Sequence, residues 1–191
     1  MAILTNDEIS ALVNAEMHDP FMFLGMHELN EEEVVVRALN PEAENIWVVS
    51  EELDTDIKLE KIADEGLFEG VIKSEDIFNY ELKYKNHEGY EWQLKDPYSY
   101  LPVLTDEDLY FFGEGKYYRI YEKLGSNVIT HGGIKGTHFA VWAPNAKRVS
   151  VVGHFNHWDG RRHQMRVLGD SGVWEIFIPE LPEGEIYRFE I

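Results

Sequence analysis

The sequence predicts an all-β protein: two tandem immunoglobulin-like β-sandwiches with a short N-terminal helix, the second sandwich truncated. Three observations carry this expectation. Short runs alternate apolar and polar residues with period two, bounded by turn residues. The chain contains two diverged copies of one unit. A helical period is read only at its start. At 191 residues, 44% of them hydrophobic, the chain is long enough for one large domain or two small ones.

The first element is the helix. Thr5 with Glu8 three residues on forms a capping box, and Ile9, Leu12, Val13 and Met17 share one face before His18-Asp19-Pro20 ends it. Next come strand runs in which Val34, Val36 and Ala38, then Ile46 and Val48, alternate with outward residues. Pro41 sits in the turn between them, where a missing N–H does no harm. The second copy repeats the pattern with Phe139 and Val141, Pro144, then Val149 and Val151.

The repeat is explicit. PEAENIWVV from Pro41 matches PNAKRVSVV from Pro144, an offset of 103; GLFEGVI from Gly66 matches GVWEIFI from Gly172, an offset of 106; YELKY from Tyr80 matches YRFEI from Tyr187, an offset of 107. Boundaries at 1–105 and 106–191 follow. After Tyr80 the first copy continues through a hairpin loop and a returning strand ending at Tyr98, whereas the second stops four residues past Tyr187. The second sandwich is therefore expected to lack its last strand, and the chain to be part of something longer. Between the copies, Tyr110, Phe111, Phe112, Tyr117, Tyr118 and Tyr121 predict a packed connection rather than a loose linker.

Charge narrows the function. Lys and Arg number 17 against 36 Asp and Glu, a net charge of −19, which repels a phosphate backbone and an anionic bilayer alike. Nucleic acid and membrane are excluded as expected partners. The absence of a transmembrane-length apolar run and of a basic-then-apolar leader predicts a cytoplasmic, soluble protein. With no cysteine, disulfides and thiolate chemistry are out. The imbalance is uneven: residues 1–105 hold 24 acids and 7 bases, residues 106–191 hold 12 and 10.

Four ordered stretches, HDPFMFLGMH (18–27), DLYFFGEGKYYRIYEKLG (108–125), GTHFAVWAPNAKRVSVVG with FNHWDGRRHQMR (136–166), and GVWEIFIPELPEGEIYRFEI (172–191), resemble the N-terminal part of bacterial 1,4-α-glucan (glycogen) branching enzymes. The resemblance covers essentially the whole chain. It implies that the first copy is that family's extra N-terminal domain, associated with which chain lengths are transferred. It implies that the second is a family 48 carbohydrate-binding module. The implied reaction of glycogen biosynthesis cleaves an α-1,4 chain and transfers it to a 6-hydroxyl with retention, on a (β/α)8 barrel that needs roughly 250 residues. No catalytic residue is therefore assigned here, no cofactor or metal is implied, and the partners expected are an α-glucan (glycogen or a maltooligosaccharide) and the catalytic barrel.

The candidate site lies in VVGHFNHWDGRRHQM (151–165). Phe155 is expected to point inward, Asn156 to brace the turn, and Trp158 to stand at the surface, where an indole covers the apolar face of a glucose ring. The resemblance adds Arg188 as the basic residue beside it. Trp158 and Arg188 are thus the expected glucan contacts, with Asn156 in support; a packing or barrel-docking role for Trp158 remains the alternative. Most members of the family read Gly-Asp-Phe-Asn where this chain has Gly153-His154-Phe155-Asn156. His154, His157 and His163 invite a metal, but strand-and-turn spacing does not converge them. The acidic pairs Asp54 with Asp56 and Glu31 to Glu33 read as solvated turns. The equivalent stretch of the first copy, VVSEELDT, has no Trp and reads as structural. A free-standing glucan-binding module and a scaffold that binds no sugar are the competing functions.

Overall fold

The structure, a computed structural model, describes residues 4–191. The chain forms two compact units, one ending at Ser99 and the other running from Tyr100 to Ile191.

In the first unit, α1 (Asn6–Val13) opens with the capping box. Thr5 Oγ1 accepts from the Glu8 backbone at 3.3 Å, and the Thr5 backbone donates to Glu8 Oε2 at 2.7 Å. The helix stops earlier than expected, because the chain turns left-handed at Ala15 (φ 54°) and the Glu16 N–H closes onto Ala11 O at 2.8 Å. Met17, now outside the helix, still packs with Leu12, Val13 and Leu24. Asp19 caps the next turn by accepting from the Phe21 N–H at 3.1 Å, and His27 Nε2 meets Leu24 O at 2.9 Å.

Eight strands follow: β1 (Gly25–Asn30), β2 (Glu33–Leu39), β3 (Ala43–Val49), β4 (Ile57–Lys58), β5 (Glu60–Ala63), β6 (Leu67–Lys73), β7 (Glu81–Asn86) and β8 (Glu91–Lys95). They pair antiparallel in two sheets of order β1-β2-β6-β5 and β4-β3-β7-β8. Val34, Val36, Ile46 and Val48 meet Phe68 and Leu82 in the core between them. Each such side chain, fully buried, contributes about 1.5–3 kcal/mol of transfer free energy.

The second unit contains α2 (Asp106–Gly113), β9 (Gly125–His131), β10 (Ile134–Trp142), β11 (Ser150–Gly153), β12 (Arg166–Val167), β13 (Val173–Pro179) and β14 (Tyr187–Glu190). One sheet has the order β12-β13-β10-β9; the other is the pair β11-β14. The hairpin β9–β10 with β13 repeats β1–β2 with β6, and β11–β14 repeats β3–β7. No strand pairs the outer edge of β14 among the described residues, where β7 of the first unit has β8.

Helix α2 corrects the expectation of one helix at the start. It is a copy of α1 at an offset of 100. Thr105 and Asp108 form the same capping box, and Gly115 (φ 67°) closes the end with Lys116 N bonded to Phe111 O at 2.9 Å. Its aromatics also differ from expectation. Phe112 packs beside Leu104, Ala140 and Val173, but Tyr110, Phe111, Tyr118 and Tyr121 are exposed.

Residues 100–105 pack in the second unit, six residues before the boundary read from the sequence. Their anchor is Glu175 on β13, which is fully buried. Its carboxylate accepts from the Val103 and Leu104 N–H groups at 3.0 and 3.1 Å, and from His138 Nε2 at 3.0 Å. Arg166 adds a bond to Tyr100 O at 2.7 Å. Burial pushes the Glu175 carboxyl up, but its bonds with His138, the Leu104 N–H and the charge of Arg166 together hold it below the ordinary range.

Candidate functional site

The expected site forms where β11 leaves the sheet. After Gly153 the chain makes one tight turn, His154–Asn156, then places His157 (φ 55°) and Trp158 (φ 62°) in succession in the left-handed region. Two such residues side by side cost on the order of 1–3 kcal/mol each and persist only where the surroundings over-determine them.

Asn156 supplies that determination. It is completely buried; its Oδ1 accepts from the Gly153 N–H at 2.9 Å and its Nδ2 donates to Val151 O at 2.9 Å. Nδ2 also lies 3.0 Å from His163 Nδ1. Burial first, and the charge of Arg162 second, push the His163 imidazole down to about 3. A neutral ring with Nδ1 as acceptor follows at neutral pH. The turn is tied again by the Trp158 N–H to Gly153 O at 2.9 Å. Arg161 grips the Asp159 carboxylate through Nε and Nη2 at 2.9 and 2.6 Å. Burial pushes that carboxyl up, and the Arg161 bonds outweigh it.

The two expected contact residues come together. Arg188 stands on β14 opposite Val152 of β11, and its guanidinium carbon lies 5.9 Å from the centroid of the Trp158 ring. Trp158 is 38% exposed, so part of the indole remains accessible to a ligand. His154 meets the indole edge-on at 5.4 Å, and Trp158 Nε1 points to His154 Nδ1 at 3.4 Å. Phe155 turns inward, stacked on Phe139 with centroids 6.1 Å apart. Asn156 is enclosed and braces the turn; no ligand can reach it.

The arrangement is an aromatic plate with a cation over its ring, on a turn tied by buried hydrogen bonds. Such a plate suits a flat, polyhydroxylated ring, whose C–H face meets the indole while guanidinium N–H groups reach its hydroxyls.

Comparison with known proteins finds relatives for both units. Residues 5–98 match the family described as the N-terminal domain of the alpha-1,4-glucan branching enzyme GlgB. Residues 123–191 match carbohydrate-binding module 48, the isoamylase N-terminal domain. Both units thus match the N-terminal region of GlgB branching enzymes. Curated relatives cover the chain end to end. The 1,4-alpha-glucan branching enzyme GlgB of Nostoc sp. is 47% identical over 100% of this chain and 25% of its own length. That of Thermosynechococcus vestitus is 45% identical over 97% of this chain and 24% of its own. The chain thus spans about a quarter of the curated GlgB relatives it matches. Among solved structures, the catalytic module of the pneumococcal virulence factor SpuA in complex with an inhibitor aligns with 65% of this chain and 20% of its own. The identity is 18% and the TM-score 0.36, too loose to place any residue.

The acidic pairs stay at the surface. Asp54 is exposed, and Asp56 forms an ion pair with Lys83. No helix among the described residues is long and apolar enough to cross a membrane.

Proposed function

We propose that this chain is the accessory, N-terminal part of a cytoplasmic glycogen branching enzyme, and that its second unit binds the α-glucan. The reaction it serves cuts an α-1,4 chain and reattaches the piece to a 6-hydroxyl. No step of that reaction is assigned to residues of this chain. The catalytic barrel is the proposed partner, and the first unit is proposed to bias the length of chain transferred. The domains proposed are a branching-enzyme N-terminal domain and a carbohydrate-binding module, read from the sequence as 1–105 and 106–191 and divided in the structure between Ser99 and Tyr100.

One observation supports the glucan reading above all: Trp158 and Arg188, from different elements, form a rigid, exposed plate on a module of the family 48 type. Trp158 and Arg188 are the direct contacts in this reading, and Asn156 acts only through the turn.

The test is titration of the chain with maltoheptaose, followed by Trp fluorescence. A saturable response that is reduced in Trp158→Ala and weakened in Arg188→Ala supports the reading. Titrations unaffected by either substitution overturn the assignment of this plate and leave Trp158 as a docking residue.

A further inference from the structure

The first unit carries an aromatic that comparison of loops alone overlooks. On β3, Ile46 and Val48 face the core, so Trp47 stands on the opposite, outer face of the sheet β4-β3-β7-β8. Register places Lys58 of β4 and Lys83 of β7 directly beside it, with Gln93 of β8 next in the same row. The adjoining row holds Val49, Glu81 and Lys95. Trp47 is thus the centre of a grid of polar side chains, and the ammonium groups of Lys83 and Lys58 lie 5.3 and 5.8 Å from its ring centroid.

Charge distinguishes this face from the rest of the unit. Residues 1–105 carry 24 acids and 7 bases, yet four of those seven bases, Lys58, Lys83, Lys85 and Lys95, gather here. Three are matched by carboxylates: Lys83 with Asp56, Lys95 with Glu81, and Lys85 with Glu91 at 3.8 Å. Around the indole the charges nearly balance, and the adjoining cleft adds the Glu51 and Glu52 carboxylates, so the face disfavours an anion and suits an uncharged ligand.

The second unit's plate gives the face its meaning. In the internal repeat, Val49 and Glu81 are paired as Val152 and Arg188 are, so Glu81 occupies the position of Arg188. Gln93 donates to Glu81 Oε2 at 2.7 Å. Beside this pair opens a cleft of about 490 Å³ lined by Glu51, Glu52, Asn79, Glu81, Gln93 and Lys95. Carboxylate, amide and ammonium together supply both acceptors and donors for hydroxyls, and Trp47 supplies the apolar contact.

We propose that the outer face of β4-β3-β7-β8, centred on Trp47 and bordered by Glu81, Gln93 and Lys83, is a second glucan-binding surface that takes a linear α-1,4-glucan. The choice of glucan rests on the function proposed above; the site itself rests on the grid. Its hydroxyls replace part of the water on Glu81, Gln93 and Lys95, while the lysine stems beside Trp47 give way to a glucose ring.

The test uses the full chain labelled with 15N, with the indole N–H signals of its five Trp residues followed during titration with maltoheptaose. The signals of both Trp47 and Trp158 are expected to move saturably. The Trp47 shift is expected to persist in Trp158→Ala. In Gln93→Ala, an exposed side chain whose loss leaves the core intact, the Trp47 response weakens about tenfold, equivalent to ~1.4 kcal/mol, while the Trp158 response is unchanged. If Trp158 responds and Trp47 does not, the second surface is overturned and the proposed function stands. If neither responds, both are overturned. If the Trp47 shift disappears in Trp158→Ala, the face is a distant reporter and not a site.

Discussion

A β-carbon added to Gly172 would lie 2.7 Å from the Cα of Pro144, and one added to Gly66 would lie 2.7 Å from the Cα of Pro41. The same glycine presses against the same proline in both units. Both glycines have positive φ, 71° and 99°, so a side chain is strained as well as crowded. Gly172→Ala and Gly66→Ala are each expected to destabilise their own unit by about 1–3 kcal/mol. Urea unfolding checks this, and near-neutral substitutions would refute it.

Asn156→Ala removes the acceptor for the Gly153 N–H and the donor to Val151 O, both buried. A loss of about 2–3 kcal/mol is expected from the stranded groups. A larger consequence is expected for the loop, because two left-handed residues lose their tie. Trp158 should become more mobile, read as a fall in its fluorescence anisotropy, and maltoheptaose affinity should drop although Asn156 touches no ligand.

Asp96 gives the first unit an unusual pH dependence. Its carboxyl is enclosed and accepts from Tyr80 Oη at 2.6 Å; burial raises it from 3.8 to about 6 despite that bond. Between about pH 4 and pH 6 the folded form therefore holds a proton that the unfolded form has released. Stability contributed here is present below pH 4 and lost as pH rises through 6, by an amount on the order of 3 kcal/mol. Asp96→Asn should flatten that part of the stability profile, measured by denaturation across pH 4 to 7. An unchanged slope would show that Asp96 titrates normally.

His163 acts in the opposite sense in the second unit. Its folded imidazole is depressed to about 3, so stability is present above about pH 6.5 and is lost as the pH falls toward 3. His163→Gln should reduce the acid sensitivity of this unit, followed by the near-ultraviolet dichroism of its aromatics.

Glu175→Gln leaves shape but removes the charge that His138 and Arg166 face. Breaking one member of a buried charged cluster costs about 3–5 kcal/mol. The Val103 and Leu104 amides, which it holds, are expected to exchange with deuterium much faster, with amides of the first unit unaffected. Uniform acceleration over the whole chain would contradict a local anchor.

The repeat made most of the sandwich architecture readable before the structure. Paired prolines, glycines and alternating valines each impose a local geometry, and all agree. Helix α2 escaped because its neighbourhood is rich in Pro and Tyr, and its cap uses Asp108 in place of a Glu. The signal was nonetheless present: Leu4-Thr5 and Leu24-Gly25 recur as Leu104-Thr105 and Leu124-Gly125. At the candidate site, the family resemblance suggested Arg188 beside Trp158 but could not say that Asn156 is enclosed, since that depends on how a three-residue turn folds over it. Trp47 was visible as an outward position in the alternation. Its significance depends on which lysines β4 and β7 bring beside it, and strand register is not written in any one segment.

The left-handed pair His157–Trp158 has a further consequence for binding. Its backbone freedom is surrendered when the protein folds, so an incoming sugar finds an indole already oriented and has little disorder left to suppress. Recognition of this kind proceeds with small conformational adjustment, and differences in affinity among ligands then reside in how long the complex lasts rather than how fast it forms.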